Sequence, residues 1–292
     1  MGRERALALQ ASSEPGEIAT ALGETRQGRA ALVLSGAPPW DLIPDVRPLL
    51  ESVRVPGSVA EGADLVGLIP VLDAASRLRA YGQSIAIEAP DLGAAFAGFP
   101  LAKALGDALR RSLDSEGGVK DEASPALRRA RHRVRDHRKA IVKALEGYFH
   151  SPGADTTYQE RYVTVRHGRY VLPVRVEAKA RVRGIVHDRS QSGATLFVEP
   201  EAIVEANNDL VQATRDEESE VVRVLAELTD AVRSELPDLL ALVNQIGSLD
   251  LIFARAALAE RMEATEPAMG AERIVSLPGA RNPLLMAQSW KE

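Results

Sequence analysis

The sequence predicts a mainly α fold, α+β overall: a helical body with an inserted antiparallel two-helix arm that carries a small antiparallel β tip. Three observations predict it. Two long segments with near-heptad apolar spacing flank residues 160–199. Residues 161–200 alone alternate β-branched and aromatic side chains. A strongly apolar segment after Pro237 is too hydrophobic for an exposed arm and belongs in a packed core. The 292 residues suggest one or two domains, and with 45% hydrophobic but only 4% aromatic residues their cores should be Leu, Val and Ala packed between helices.

The elements follow in order. A helical pattern from Pro15 to Arg26 follows Ser13 as a cap, and a Pro/Gly-rich connection runs from Gly36 to Pro48. Helices are expected over Val46–Val53, Ala60–Ala80 and Leu101–Leu113, then a loop from Asp114 to Ser124. Residues 1–124 form the first part of the body, and 125–232 the arm. The arm's first helix, 126–148, carries Leu127, Ala130, Val134, Ile141, Leu145 and Tyr148, with His137 interrupting the repeat. Its β tip spans 160–199. Its second helix, 200–235, starts with Pro200 at the first helical position and repeats through Val204, Val211, Val221, Leu225, Leu228 and Val232. About 22 shared residues at 1.5 Å each make an arm of roughly 33 Å. Residues 233–292 return to the body, starting with a helix rich in Leu239, Leu242, Val243, Ile246 and Ile252.

Within the tip, His167-Gly168 separates two strand-like runs, and glycine supplies the positive φ of a two-residue hairpin. That register pairs Val165 with Tyr170 and Val163 with Leu172, and sets Arg166 opposite Arg169. Like charges directly opposite repel, and an anion between them would relieve the repulsion. A second hairpin joins Gly184–Asp188 to Ala194–Val198 through residues 189–193.

Charge placement is more informative than the net charge of −5. Residues 128–183 hold 15 Lys/Arg against 5 Asp/Glu, so the rest of the chain is strongly acidic. The dense run from Arg128 to Lys139 invites a nucleic-acid reading. Pairing Leu127 with Leu228, however, sets Arg135–Lys139 against the acidic run Asp216-Glu-Glu-Ser-Glu220, a charge match of the kind that fixes coiled-coil register. The tip has no such neutraliser in its neighbouring sequence beyond Glu177. Its candidate nucleic-acid-binding residues are therefore Arg161, Arg166, His167, Arg169, Arg175, Lys179, Arg181, Arg183 and Arg189. Without an obvious stacking platform, contacts to backbone phosphates are expected rather than to base edges.

Several chemistries are excluded or disfavoured. Cysteine is absent, which removes disulfides, thiolate metal sites and cysteine nucleophiles and is compatible with the cytoplasm, the expected location. No Gly-x-x-x-x-Gly-Lys-Ser/Thr exists, so no nucleotide hydrolysis is expected from these residues. His132 and His137 lack a third ligand at helical spacing, and no metal is assigned. His187, Asp188 and Ser190 or Ser192 are the residue types of a hydrolase triad, but neighbours on one strand point to opposite faces. The loop from Ser190 to Gly193 offers amides and hydroxyls to a phosphate, yet a plain turn explains it. The N-terminus lacks the apolar core of a signal peptide, and no window approaches a membrane span.

Asp121-Glu-Ala-Ser124, Arg169-Tyr-Val-Leu-Pro-Val174, Gly184-Ile-Val-His-Asp188, the segment Ser190–Pro200, Asn207-Asn208 and Ala280-Arg-Asn-Pro-Leu-Leu285 resemble the second bacterial branch of the MutS family, which lacks the mismatch-recognition domain. The resemblance covers nearly the whole chain. It implies a helical core, or lever, in 1–124 and 233–292, interrupted by a clamp in 125–232. It also implies an ABC-type ATPase domain using ATP and Mg beyond this chain, often with a C-terminal Smr endonuclease, and a homodimer of the full-length protein. No cofactor is expected in the stretch present. The implied partner is DNA, branched or duplex, with suppression of recombination as the outcome. Alternatives are collided ribosomes gripped through their rRNA, or a protein-interaction lever that touches no nucleic acid. Two departures stand out: the family usually has His where Asn282 stands, and Gly2-Arg-Glu-Arg-Ala resembles a point inside its usual start.

Overall fold

The computed structural model describes residues 2–40, 43–270 and 274–290. The helices are α1 (Gly2–Leu7), α2 (Pro15–Ser35), α3 (Arg47–Ser52), α4 (Gly62–Val66), α5 (Leu68–Ser84), α6 (Pro90–Ala97), α7 (Lys103–Ser112), α8 (Pro125–Tyr148), α9 (Ala154–Thr157), α10 (Val204–Ser234), α11 (Leu236–Arg261) and α12 (Pro283–Ser289). Four strands, β1 (Thr164–Arg166), β2 (Arg169–Arg175), β3 (Gly184–Arg189) and β4 (Thr195–Pro200), form one antiparallel sheet in the order β1-β2-β4-β3. The fold is mainly α with one small antiparallel sheet, as expected. The chain divides into two compact units, one from residues up to 110 together with those from 229 on, the other Arg111–Leu228.

In the first unit α11 packs on α1, α2 and α3, and α5 packs on α6. Pro at the first positions of α2, α3, α6 and α11 costs no hydrogen bond, because those N–H groups have no helical partner. The core is Leu, Val and Ala as expected, except at its centre. There Phe96, fully buried, lies 5.6 Å from Tyr81, 5.6 Å from Phe99, 6.0 Å from Phe253 and 6.1 Å from Trp40, ring centre to ring centre. Few aromatics can still form one cluster when several helices each supply a ring. Helix α11 is long and apolar enough to cross a membrane by length and composition, contrary to the sequence reading. Leu239, Leu242, Val243, Ile246 and Leu249 are buried in this unit, so the apolar surface packs against protein. Asn282 caps α12, its side chain accepting from the Leu284 N–H at 2.9 Å.

In the second unit Ser124 caps α8, accepting from the N–H groups of Ala126 and Leu127, and Pro125 is the first helical residue. The sheet packs on α8 and α10. Val134, Ile141 and Leu145 of α8, Leu172 and Val174 of β2, Val198 of β4, and Leu210 and Ala213 of α10 share one buried core.

The register between α8 and α10 differs from the expected one. Pairing Leu127 with Leu228 would set Glu217 opposite Arg138; instead Arg131 reaches Glu217 at 3.1 Å and Arg133 reaches Asp216 at 3.3 Å. The slip from 138 to 131 is one heptad, to which an apolar heptad pattern is blind. Asp121, before α8, bonds Arg131 at 2.6 Å and approaches Arg135 at 3.6 Å, so Arg131 is held between Asp121 and Glu217. Pro200 also differs, being the buried end of β4, with a 3-10 turn Glu201–Ile203 before α10 begins.

Candidate nucleic-acid interface

The first hairpin has the expected register, with Val165 opposite Tyr170 and Arg166 opposite Arg169. Val163 lies outside β1, and Leu172 pairs with Val198 of β4 instead. Both turn residues have positive φ, +49° at His167 and +76° at Gly168, the requirement of a type I′ turn. His167 is exposed there.

The two arginines flanking the turn do not share an anion. Arg166 crosses the sheet to Asp188 at 3.2 Å and lies 4.0 Å over the ring of Phe197. Arg169 reaches Glu199 at 2.9 Å and Asn208 at 2.6 Å. The expectation of an uncompensated hairpin is thus corrected. Its neutralisers come from β3 and β4, twenty or more residues away in sequence. Arg161 is likewise engaged, paired with Asp155.

Glu199 organises this end of the sheet. Its side chain is fully buried, yet it accepts from Arg169, from Asn207 Nδ2 at 2.8 Å, and meets His187 Nε2 at 2.6 Å. Burial raises the Glu199 carboxyl, and the bonds from His187, Asn207 and Arg169 outweigh burial, so the group is held below the usual carboxylate range. His187 reaches it because of a bulge: Val186 pairs with Val198 and Asp188 with Phe197, leaving His187 as the extra residue. Asn207 also bonds both the N–H and the carbonyl of Tyr170, fastening α10 to β2. In the sequence Asn207 and Glu199 stood out only as members of the segments Asn207-Asn208 and Ser190–Pro200 that carry the family resemblance, with no role assigned to either. The signal available was the pairing of a strand carboxylate with Asn-Asn one helical turn into the next element.

The triad residue types do not come together. His187 serves Glu199 and Asp188 serves Arg166, while Ser190 Oγ accepts the Thr195 N–H at 3.1 Å. The Ser190–Gly193 loop uses its own groups, the Gly193 N–H donating to the Ser190 carbonyl at 2.8 Å while the Gly193 carbonyl accepts from Arg189 Nε at 3.1 Å. It is a plain turn, and Arg189 is held against it.

The remaining cations gather around the 3-10 turn Val176–Arg181 between β2 and β3. Lys179 Nζ caps the carbonyls of Val182 at 3.0 Å and Gly184 at 3.3 Å, and Arg181 donates to the hydroxyl of Thr156 at 2.8 Å. Arg175 Nε is buried without a hydrogen-bond partner. Arg183 is exposed and, with Arg181 and Tyr148, lines a hollow of 530 Å³. Glu201 lines the same hollow, and Glu177 lies in the turn itself. Among the described residues none of Arg175, Lys179, Arg181 and Arg183 forms an ion pair with a carboxylate.

This turn is followed at once by Gly184, which faces the backbone of β4. A Cβ there would overlap the carbonyl of Glu199 and lie 2.9 Å from Pro200 Cα. Backbone cannot give way as a side-chain tip can. Gly184→Ala is expected to lower stability by about 1–3 kcal/mol and to loosen β3, read as faster amide exchange over 185–189. Wild-type exchange rates there would show that β3 accommodates the methyl group.

Several similar proteins carry the name Endonuclease MutS2. Those of Geobacillus sp. (strain WCH70) and Bacillus velezensis are each 34% identical to this chain, covering 98% of it, over 288 and 295 residues. That of Latilactobacillus sakei is 34% identical over 293 residues, again 98% of the chain. The chain belongs to the MutS2 family. It spans 36–37% of the length of these relatives. No protein-family model matches it. Among the described residues no group of three or more His, Cys, Asp or Glu side chains is placed to hold a metal ion, and the sequence has no Walker loop.

Proposed function

We propose that this MutS2 chain supplies the core and clamp with which a cytoplasmic, homodimeric ATPase embraces branched DNA and suppresses recombination. Residues 125–232 are the clamp in this reading. The observation that carries it is the set of cations at 175–183, which have no ion-pair partners among the described residues while their neighbours in the hairpin do. Phosphates are the natural counter-ions for such a set, because displaced salt ions then drive binding. Arg175, Lys179, Arg181 and Arg183 are the backbone contacts, and Arg166 and Arg169 build the platform that presents them.

The test is the triple variant Lys179→Glu, Arg181→Glu, Arg183→Glu, measured against a four-way DNA junction across a salt series. Affinity is expected to fall sharply, and the log-log salt slope to shrink by about 0.9 for each phosphate that is no longer neutralised. Unchanged affinity and slope in a folded variant would sink the reading in favour of a lever that only meets protein. Ribosomal RNA offers the same phosphates, so direct competition between a four-way junction and ribosomes for the wild-type chain separates the two nucleic-acid targets.

A further inference from the structure

The geometry points to a second, separate nucleic-acid subsite: a groove under the β1–β2 hairpin that takes one unstacked, amino-bearing base of a single strand, with its flanking phosphates. The inference rests on the nucleic-acid reading above. The groove has a volume of 400 Å³, within the range of small-molecule sites, and its lining comes from three elements. Val165 and Tyr170 come from the hairpin, Arg138 from α8, and Leu210, Arg215 and Glu218 from α10.

Each part of this lining suits a nucleotide better than the alternatives. A bare anion would leave exposed Val165 and half-buried Tyr170 uncovered over the buried Leu210, whereas a base covers them and can stack on a tyrosine. A purely apolar peptide would leave two cations, Arg138 and Arg215, against the single carboxylate Glu218 of the groove. Both are exposed, and among the described residues neither forms an ion pair. They stand on different helices, as would suit the phosphates on either side of an inserted base. Glu218 adds an acceptor, which favours bases that offer an exocyclic amino group over thymine. The groove is also firmly built, because Asn207 bonds both backbone groups of Tyr170 and fixes that residue on α10. The sequence concealed it, since Tyr170 meets residues of α10 thirty-seven or more positions later.

The experiment uses the 292-residue chain with a short oligo-dC strand, the matching oligo-dT strand and a blunt duplex, followed by fluorescence anisotropy. One variant is Arg138→Ala with Arg215→Ala. The other is Tyr170→Leu, which keeps the backbone bonds and apolar bulk but removes the ring. Wild type should prefer oligo-dC to oligo-dT. Both variants should bind oligo-dC about tenfold more weakly while holding duplex affinity within about twofold. Equal weakening on strand and duplex would overturn the groove, and so would unaltered strand affinity in both variants. An acidic aromatic peptide that displaces the strand and binds more weakly to the same variants would also overturn it. Wild-type binding to duplex but not to either strand removes the groove and leaves the clamp reading standing; binding to neither form removes both.

Discussion

Glu199→Leu is expected to cost the second unit about 3–5 kcal/mol, although leucine is itself well suited to a buried strand position. The reason is asymmetry. Removing one member of a buried ionic network leaves the others desolvated and unpaired. Arg169 is one-quarter exposed, His187 less so, and Asn207 is buried, so none can fully recover its missing bond from water. Glu199→Gln should cost less, since an amide keeps an acceptor for Arg169 or Asn207 but removes the charge. Urea unfolding followed by circular dichroism reads both variants, and a midpoint within error of wild type would show that the network adds nothing net.

The same carboxylate sets a pH dependence. Its folded-state pKa lies below the usual value, so it holds fewer protons in the folded than in the unfolded chain between the two values. The stability it contributes is complete above the ordinary carboxylate range and is lost as pH falls through the depressed folded value. Glu199→Gln should therefore flatten the acid limb of the stability curve. An acid limb as steep as that of wild type would assign it to other carboxylates.

This network also shows where sequence reasoning stopped. Local signals were legible: Pro15 and Pro237 at helix starts, the His167-Gly168 turn, and the alternation that revealed the sheet. Register within a hairpin followed from the turn, because two residues leave the chain no choice. Register between α8 and α10 did not, because a heptad slip preserves the apolar pattern and only the interhelical pairs Arg131–Glu217 and Arg133–Asp216 tell the two registers apart. The long helical stretch expected from Ala60 to Ala80 is two helices that meet at Gly67, and α2 runs nine residues beyond Arg26. In both cases packing rather than propensity decided the ends. The candidate site was legible as composition but not as pairing. All nine cationic or histidine positions lie in the second unit, yet which are spent on Asp155, Asp188 and Glu199 depends on strand order. Charge reversal at Arg166 and Arg169, which the sequence alone recommends as a binding test, would strike these internal partners first.

The other large effect is expected from Phe96→Ala in the first unit. Phe96 is fully buried and packs against four aromatic rings drawn from α5, α11 and the flanking segments, so no single neighbour can shift to fill the space. Truncating a buried phenylalanine costs about 3–5 kcal/mol, with cavity formation adding to the forfeited transfer energy. The edge-on packing of Tyr81 and Phe99 against it enlarges the effect, because those pairs contribute beyond their buried area. The damage should be local at first. Hydrogen exchange is expected to rise over α5 and α6, which pack directly on each other, while Leu172, Val174 and Val198 in the sheet keep wild-type protection. If protection fell equally in the sheet, the two units would unfold as one cooperative body. If α5 and α6 were unchanged, the aromatic cluster would not be what holds them together.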